Sequence, residues 1–290
     1  MTPRSPVDLH LHSTASDGML EPAALVAHVA LHGVRLMALT DHDTVDGVGR
    51  AADAARSAGI GFVAGVELSA TWRGRCIHVL GLAVDPESPR LSAGLDGQKS
   101  RRESRALGIA RRLDDAGAPG SAALGLIRAG GSLPTRTHFA RTLVALGVAA
   151  DPGTAFERWL GRGRPGYVAG DWPELAEATA WVVAAGGSAV IAHPMRYSLS
   201  AGALREMCAE FAAAGGRGVE VVTGGGSPRH REAAVSLAVR CRLQGSVGSD
   251  FHDPAIPWNP PGRLAKLPGS VRPVWLDPAF PVLETDALPA

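Results

Sequence analysis

The sequence predicts an α/β fold with parallel strand pairing, arranged as a barrel or an open sheet. Three observations carry this reading. Short apolar runs alternate with helix-like stretches along most of the chain, the rhythm of strand, helix, strand. Several of those runs end directly in histidines or carboxylates, and barrel enzymes keep their chemistry at the carboxyl ends of strands. The chain also has 290 residues and 46% hydrophobic content, enough for a substantial core.

The first strand is predicted over Val7-Asp8-Leu9-His10-Leu11-His12-Ser13, where apolar and polar residues alternate with period two. One row is Val7, Leu9 and Leu11; the other is Asp8, His10 and His12, with Asp17 close behind. A buried row of two imidazoles and a carboxylate needs a partner stronger than water. A metal cluster is the simplest answer. Residues two apart on a strand point the same way, roughly 6 to 7 Å apart, near enough to share one ion.

A helix then opens at Pro22 and stops near Gly33. The apolar run 35–40 reads as a strand delivering Asp41-His42-Asp43. Val48 to Ala58, closed by Gly59, reads as a helix. Strands are predicted over 62–68 and 76–81, carrying Glu67 and His78 in apolar surroundings. A lone carboxylate such as Glu67 is not buried without a partner.

From Gln98 the pattern changes to consecutive helical segments, 101–116, 121–129, 137–146 and 154–160, with no strand signal among them. This predicts a helical insertion over 98–168 between a first barrel part (1–97) and a second part with the C-terminal tail (169–290). The insertion holds twelve Lys/Arg against five Asp/Glu, a net +7, which leaves the remainder at −6. Arg136 and His138 begin a helix after Pro134, where backbone N–H groups favour anions, so both are candidate phosphate contacts.

The α/β rhythm resumes with a helix over 174–185 and a strand over 188–192 that closes in His193-Pro194. A helix (202–214), a strand (219–222) and a helix (228–240) opened by Ser227-Pro228 follow. The strand 243–247 delivers Asp250 and His252 with the same two-residue spacing as His10 and His12. Beyond Pro254 the sequence offers one short strand, 274–276.

The rest of the chain narrows the function class. No run of eighteen apolar residues appears, and Met1 to Pro6 lacks the order of a secretory signal, so no membrane partner is expected and the reading is cytoplasmic. Cys76, Cys208 and Cys241 are scattered and odd in number, which argues against a disulfide framework or a thiolate zinc site. A net charge of +1 argues against whole-surface affinity for nucleic acid. A monomer is expected.

The ordered set of HLHS, a nearby Asp, TDHD, an isolated Glu, an isolated His, AHP and a terminal SDFH resembles the PHP family, named for its polymerase and histidinol phosphatase members. The resemblance covers residues 7 to 253. It implies a distorted (β/α)7 barrel of the PHP type with a trinuclear metal centre at the strand ends. By position it implies that His10, His12, Glu67 and Asp250 hold one ion, and Asp17, His42 and His252 a second. Glu67, His78 and His193 would hold a third, with Glu67 bridging. Family members often have His where this chain has Asp17; a carboxylate there suits a harder ion, which favours Mn²⁺, with Zn²⁺ or Fe²⁺ as alternatives. The THFAR and HPMRY segments and the insertion further resemble the subgroup acting on nucleotide phosphates, including 3′,5′-nucleotide bisphosphatases and 5′-to-3′ exoribonucleases.

The expected activity is therefore removal of the 3′-phosphate from nucleoside 3′,5′-bisphosphates by attack of a metal-activated hydroxide. Asp17, His42, Glu67 and Asp250 are the expected catalytic set. Ser13, Arg136, His138 and Arg196 are the expected substrate contacts, since a guanidinium matches a phosphate with two hydrogen bonds. Asp8, Asp41 and Asp43 serve either as acceptors that hold ligands in place or as structural groups. Trimming of short RNA ends is the main alternative. An amidohydrolase-type C–N hydrolase and a non-catalytic metal-binding module are the others.

Overall fold

The computed structural model describes residues 4–256, 259–278 and 280. They form two compact units, Met1–Leu95 together with Pro173–Ala290, and Asp96–Trp172.

The first unit is built on seven strands: β1 (Val7–Asp8), β2 (Leu36–Leu39), β3 (Gly61–Trp72), β4 (Arg75–Leu82), β5 (Ser188–Ile191), β6 (Gly218–Thr223) and β7 (Gln244–Gly248). Their spatial order follows the chain, β1 to β7. The Leu9 N–H donates to the Val247 carbonyl (2.9 Å) and the Asp250 N–H to that of His10 (2.9 Å), which brings the last strand back to the first. The fold is a distorted (β/α)7 barrel. Five helices pack with it: α1 (Pro22–Leu31), α2 (Val48–Ala58), and, numbering the whole chain, α7 (Leu175–Ala184), α8 (Ala201–Ala213) and α9 (Pro228–Cys241). The core joins strand residues such as Val66, Leu68, Val190 and Val219 to helix residues such as Trp181, Met207 and Phe211.

Three strand expectations are corrected. Parallel pairing was expected through β4, but β3 and β4 pair antiparallel, as do β4 and β5. Only Arg73 and Gly74 separate β3 from β4, both with positive φ (48° and 72°), the two-residue turn that suits a right-twisted hairpin. A parallel pair needs a crossover of a dozen residues, which two cannot supply. The first strand was expected through Ser13, yet regular pairing ends at Asp8. The Asp8 carboxylate itself takes the N–H groups of Ser249 (2.8 Å) and His10 (3.4 Å), so a side chain replaces ladder partners while the chain stays extended toward His12. The tail segment 274–276, read as a strand, is a 3₁₀ turn opened by Pro273. Part of the tail lies outside the described residues.

The second unit is helical. It contains most of α3 (Pro89–Asp115), then α4 (Gly120–Ala129), α5 (Arg136–Ala145) and α6 (Pro152–Ala155), which runs on into a π turn over Phe156–Leu160. Ile109, Leu113, Leu124, Phe139, Leu143 and Leu160 form its core. Among the described residues no helix is long and apolar enough to cross a membrane.

Candidate metal centre

Glu67 sits in the middle of β3, fully buried, and five imidazoles from four parts of the first unit meet its carboxylate. The Nε2 of His10 lies 3.2 Å from Oε1 and that of His12 3.3 Å from Oε2. His78 Nδ1 and His193 Nε2 lie 2.9 and 3.1 Å from Oε1, and His42 Nδ1 lies 2.8 Å from Oε2. Asp250 Oδ1 is 3.4 Å from His10 Nε2, 3.3 Å from His12 Nε2 and 3.5 Å from His252 Nδ1. Asp17 Oδ1 lies 3.3 Å from His252 Nε2 and 3.8 Å from His42 Nε2. The barrel thus brings together all nine residues that the resemblance implied.

These residues reach one place because the backbone bends where strands end. His193 and Asp250 both adopt left-handed conformations (φ 27° and 54°), as does Asp43 (φ 52°), positions that cost energy for residues with a Cβ and that cluster where geometry serves function. Gly248 precedes Ser249-Asp250; a Cβ there would lie 2.2 Å from His10 Cβ, so glycine lets β7 pass the His10 ring.

The charged groups of the cluster shift one another strongly. Burial alone would raise Glu67, but His78, His10 and His42 hold its carboxyl well below the usual range. Burial opposes ionisation of Asp250 too, and His10, His12, His252 and Arg196 overcome it. Asp17 is held well below its ordinary value by His42 and His252 against the same penalty. In return, and against burial, Glu67 raises His10 and His78 well above theirs, and Asp17 with Asp250 lifts His252 to about 9. His12 goes the other way: burial, then the neighbouring His252 and His42, pushes it down to about 3.

The electrostatics of the cluster thus favour positive charge among these side chains. Two donors each about 2.1 Å from one ion lie roughly 3.0 to 3.4 Å apart, depending on whether it is octahedral or tetrahedral, and most spacings here match that. Among the described residues, the buried Nε2 atoms of His10 and His12, Nδ1 of His42 and Oε2 of Glu67 make no hydrogen bond, although each lies close to an opposite group. Misaligned close pairs of this kind suit a shared ion better than one another. Three groupings bring one ligand atom from each residue within 4.8 Å of the others: His12 with Asp17, His42 and His252; His10 with His12 and Glu67; and His42 with Glu67 and His78.

Around the cluster, other side chains fix the ligands. Glu220, fully buried on β6, accepts the His193 N–H (2.7 Å) and lies 3.3 Å from Nδ1 of His10. The sequence reading passed over it. The signal was the one used for Glu67, a lone carboxylate inside an apolar strand. Tyr197 Oη accepts the His78 N–H (2.9 Å) and donates to the Ala192 carbonyl (2.8 Å), tying β4 to the end of β5. Asp8 receives the Ser249 N–H, and burial pushes its carboxyl up to about 7. Asp41 takes hydrogen bonds from the Ser13 N–H (2.7 Å), Ser13 Oγ (2.6 Å) and Ser16 Oγ (2.6 Å), and burial still raises it to about 6. Asp43 accepts the Ser69 N–H (2.7 Å).

The expected substrate contacts are placed as follows. The Ser13 hydroxyl donates to Asp41. Arg196 donates to Asp250 Oδ2 and to the Gly224 carbonyl (2.9 Å), and about 45% of its side chain stays exposed. Arg136 and His138 lie in the second unit, at the first turn of α5. There the His138 N–H donates to Thr135 Oγ1 (3.2 Å) and the Thr135 N–H to His138 Nδ1 (3.2 Å), a reciprocal helix cap. Arg136 lies over the Phe156 ring, 5.8 Å from its centroid.

Residues 8–99 match the PHP domain. Over 92% of its length the chain is 42% identical to a 5′-3′ exoribonuclease of Haemophilus influenzae, of which the match covers 97%. The chain belongs to the PHP family. It is also 41% identical, over 93% of its length and 95% of the relative's, to a 3′,5′-nucleoside bisphosphate phosphatase of Chromobacterium violaceum. Among solved structures, it resembles one from Chromobacterium violaceum described as an amidohydrolase with bound sulfate and no metal. The TM-score is 0.88 and the identity 40%, over 93% of this chain and 95% of that one. The PHP domain match spans β1 to the start of α3 and so includes His10, His12, Asp17, His42, Glu67 and His78.

Proposed function

We propose that this PHP domain is a metal-dependent phosphoesterase that hydrolyses the 3′-phosphate of nucleoside 3′,5′-bisphosphates, leaving the 5′-monophosphate and inorganic phosphate. The observation that carries the reading is the convergence of five imidazoles on the buried Glu67 carboxylate, in a chain 41% identical to a 3′,5′-nucleoside bisphosphate phosphatase.

His10, His12, Glu67 and Asp250 would hold one ion. Asp17, His42 and His252 would hold a second, and Glu67, His78 and His193 a third. Asp17 favours a hard ion, Mn²⁺ before Zn²⁺ or Fe²⁺. The chemistry such ions supply when bound is activation of water near neutral pH and neutralisation of the phosphoryl oxygens.

The side chains set that chemistry up. Glu67, Asp17 and Asp250 provide the negative charge that concentrates cations in one buried place. Glu220 keeps Nδ1 of His10 engaged, so that Nε2 is the nitrogen offered to the cluster. Arg196 fixes Asp250 with one arm, and its exposed part supplies a planar cation for a phosphate. We assign the protein to the cytoplasm, as a monomer, in keeping with its scattered cysteines.

A second reading, a 5′-to-3′ exoribonuclease acting on short RNA ends, is favoured by the 42% identity to the Haemophilus influenzae enzyme. One experiment separates the two. Purified protein with Mn²⁺ is assayed on adenosine 3′,5′-bisphosphate for phosphate release, on a labelled oligoribonucleotide for release of 5′-monophosphates, and on amide substrates. The phosphatase reading predicts the highest kcat/KM on the bisphosphate. A value well above it on short RNA replaces that reading with the second, and turnover of amides alone overturns both.

A further inference from the structure

A cavity of about 470 Å³ opens beside the cluster, lined at its inner end by His193, Arg196 and Glu220. Its outer wall is the Gly224–Gly226 turn, the first turn of α9 and the segment 259–265. The space exceeds what the reacting phosphoryl group needs and is comparable to small-ligand sites.

The chemistry of the lining is polarised. Arg196, Arg231 and Arg263 all contribute, whereas Glu220 is the sole acidic side chain among the described lining residues, and its Oε2 faces the His193 N–H. The guanidinium groups of Arg231 and Arg263 have no ion pair or hydrogen bond among the described residues, unlike that of Arg196. The α9 N-terminus adds the positive end of a 14-residue helix.

Asn259 gives an independent indication. It is only 7% exposed, and its Nδ2 donates to the Asp250 carbonyl (2.8 Å), which fixes which end of the amide is which. Its buried Oδ1 has no hydrogen-bond partner among the described residues, and its side chain lines the cavity. A fixed, desolvated acceptor of this kind calls for a donor from a ligand.

We infer that this cavity binds the non-reacting part of a phosphorylated nucleoside: Asn259 accepts from a hydroxyl or amine of the nucleoside, and Arg231 with Arg263 holds a second phosphate. The inference rests on the proposed nucleotide reading and names the residues that recognise the second phosphate. That phosphate is either the 5′-phosphate of a mononucleotide or the phosphate of the next nucleotide in RNA; the chemistry is shared.

The test reads binding and turnover separately. Chelator-treated protein is titrated with 5′-AMP by calorimetry, and the Arg231→Ala/Arg263→Ala and Asn259→Ala variants are compared after circular dichroism shows them folded. Each is expected to weaken AMP binding at least about tenfold, the arginine variant through lost charge-assisted contacts and Asn259→Ala through a lost buried acceptor. With Mn²⁺, the double variant should lower the ratio of kcat/KM for the 3′,5′-bisphosphate to that for the 3′-monophosphate by a similar factor. A parallel arm with a dinucleotide shows which phosphate source is held. Absence of AMP binding, or binding equal in wild type and variants, overturns the inference. AMP binding that the variants lose, in a protein that hydrolyses no nucleotide, leaves the cavity assignment standing and overturns the proposed activity instead.

Discussion

Glu220 Oε2 stands 3.3 Å from Nδ1 of His10, while Nε2 on the far side of the same ring lies 3.2 Å from Glu67. The imidazole is held between two carboxylates, and the outer one selects which nitrogen faces the cluster. Acceptors that fix a ligating imidazole typically contribute 10 to 100-fold in metal affinity or activity. Glu220→Gln keeps an acceptor for the His193 N–H but removes the charge. The expected result, read by competition with a chelating dye, is a loss of Mn²⁺ affinity of about that size. Unchanged affinity would give Glu220 a packing role alone.

The pH dependence of the ion-free protein follows from His252 and Asp8. His252 stands at about 9 in the fold against an ordinary 6.5, because Asp17 and Asp250 outweigh burial. A raised imidazole contributes stability that is complete below 6.5 and is lost as pH rises through about 9. Asp8, pushed by burial from 3.8 to about 7, acts in the same sense at lower pH. Chelator-treated protein should therefore show a Tm that falls between pH 6.5 and 9, while metal-loaded protein should change less and the gap should widen. A chelated Tm that rises over that window contradicts the assigned shifts.

The cap of α5 predicts a local effect. Thr135→Ala removes the acceptor for the His138 N–H and should cost about 1 kcal/mol, seen as faster amide exchange in the first turn of α5. Thr135→Ser should restore protection. Equal exchange in all three proteins would mean that the reciprocal pair adds nothing to the helix.

Removing a ligand should abolish activity without unfolding the barrel. His42→Ala and Asp250→Asn are each expected to lower kcat/KM by several orders of magnitude, since water activation and charge neutralisation depend on the ions. Circular dichroism should stay close to wild type. A folded His42→Ala protein with nearly full activity would remove His42 from the centre.

Much of this was legible in the sequence because the ligands announce themselves. His10, His12, Asp250 and His252 come in pairs two apart, and Glu67 and His78 are lone ionisable groups in apolar runs, patterns that burial makes costly unless something is bound. The bounds of α2 were legible too, since Gly59, at φ 67°, supplies the left-handed stop. The β3–β4 hairpin was not, because Arg73-Gly74 is a weaker turn signal than Asn-Gly and both strand ends were set too far from it. Nor was the break of β1 at Asp8, which arises from a carboxylate that captures the N–H of Ser249, 241 residues away just past β7, together with that of His10. Glu220 shows the cost of treating one lone carboxylate as informative and the next as ordinary.

Several ions sharing Glu67 are the centre of the proposed chemistry, and elemental analysis alongside activity during Mn²⁺ titration of chelated protein tests them. Phosphate release from adenosine 3′,5′-bisphosphate should appear only beyond the first equivalent and be complete near three per chain. Full activity with no more than one bound ion per chain would contradict it.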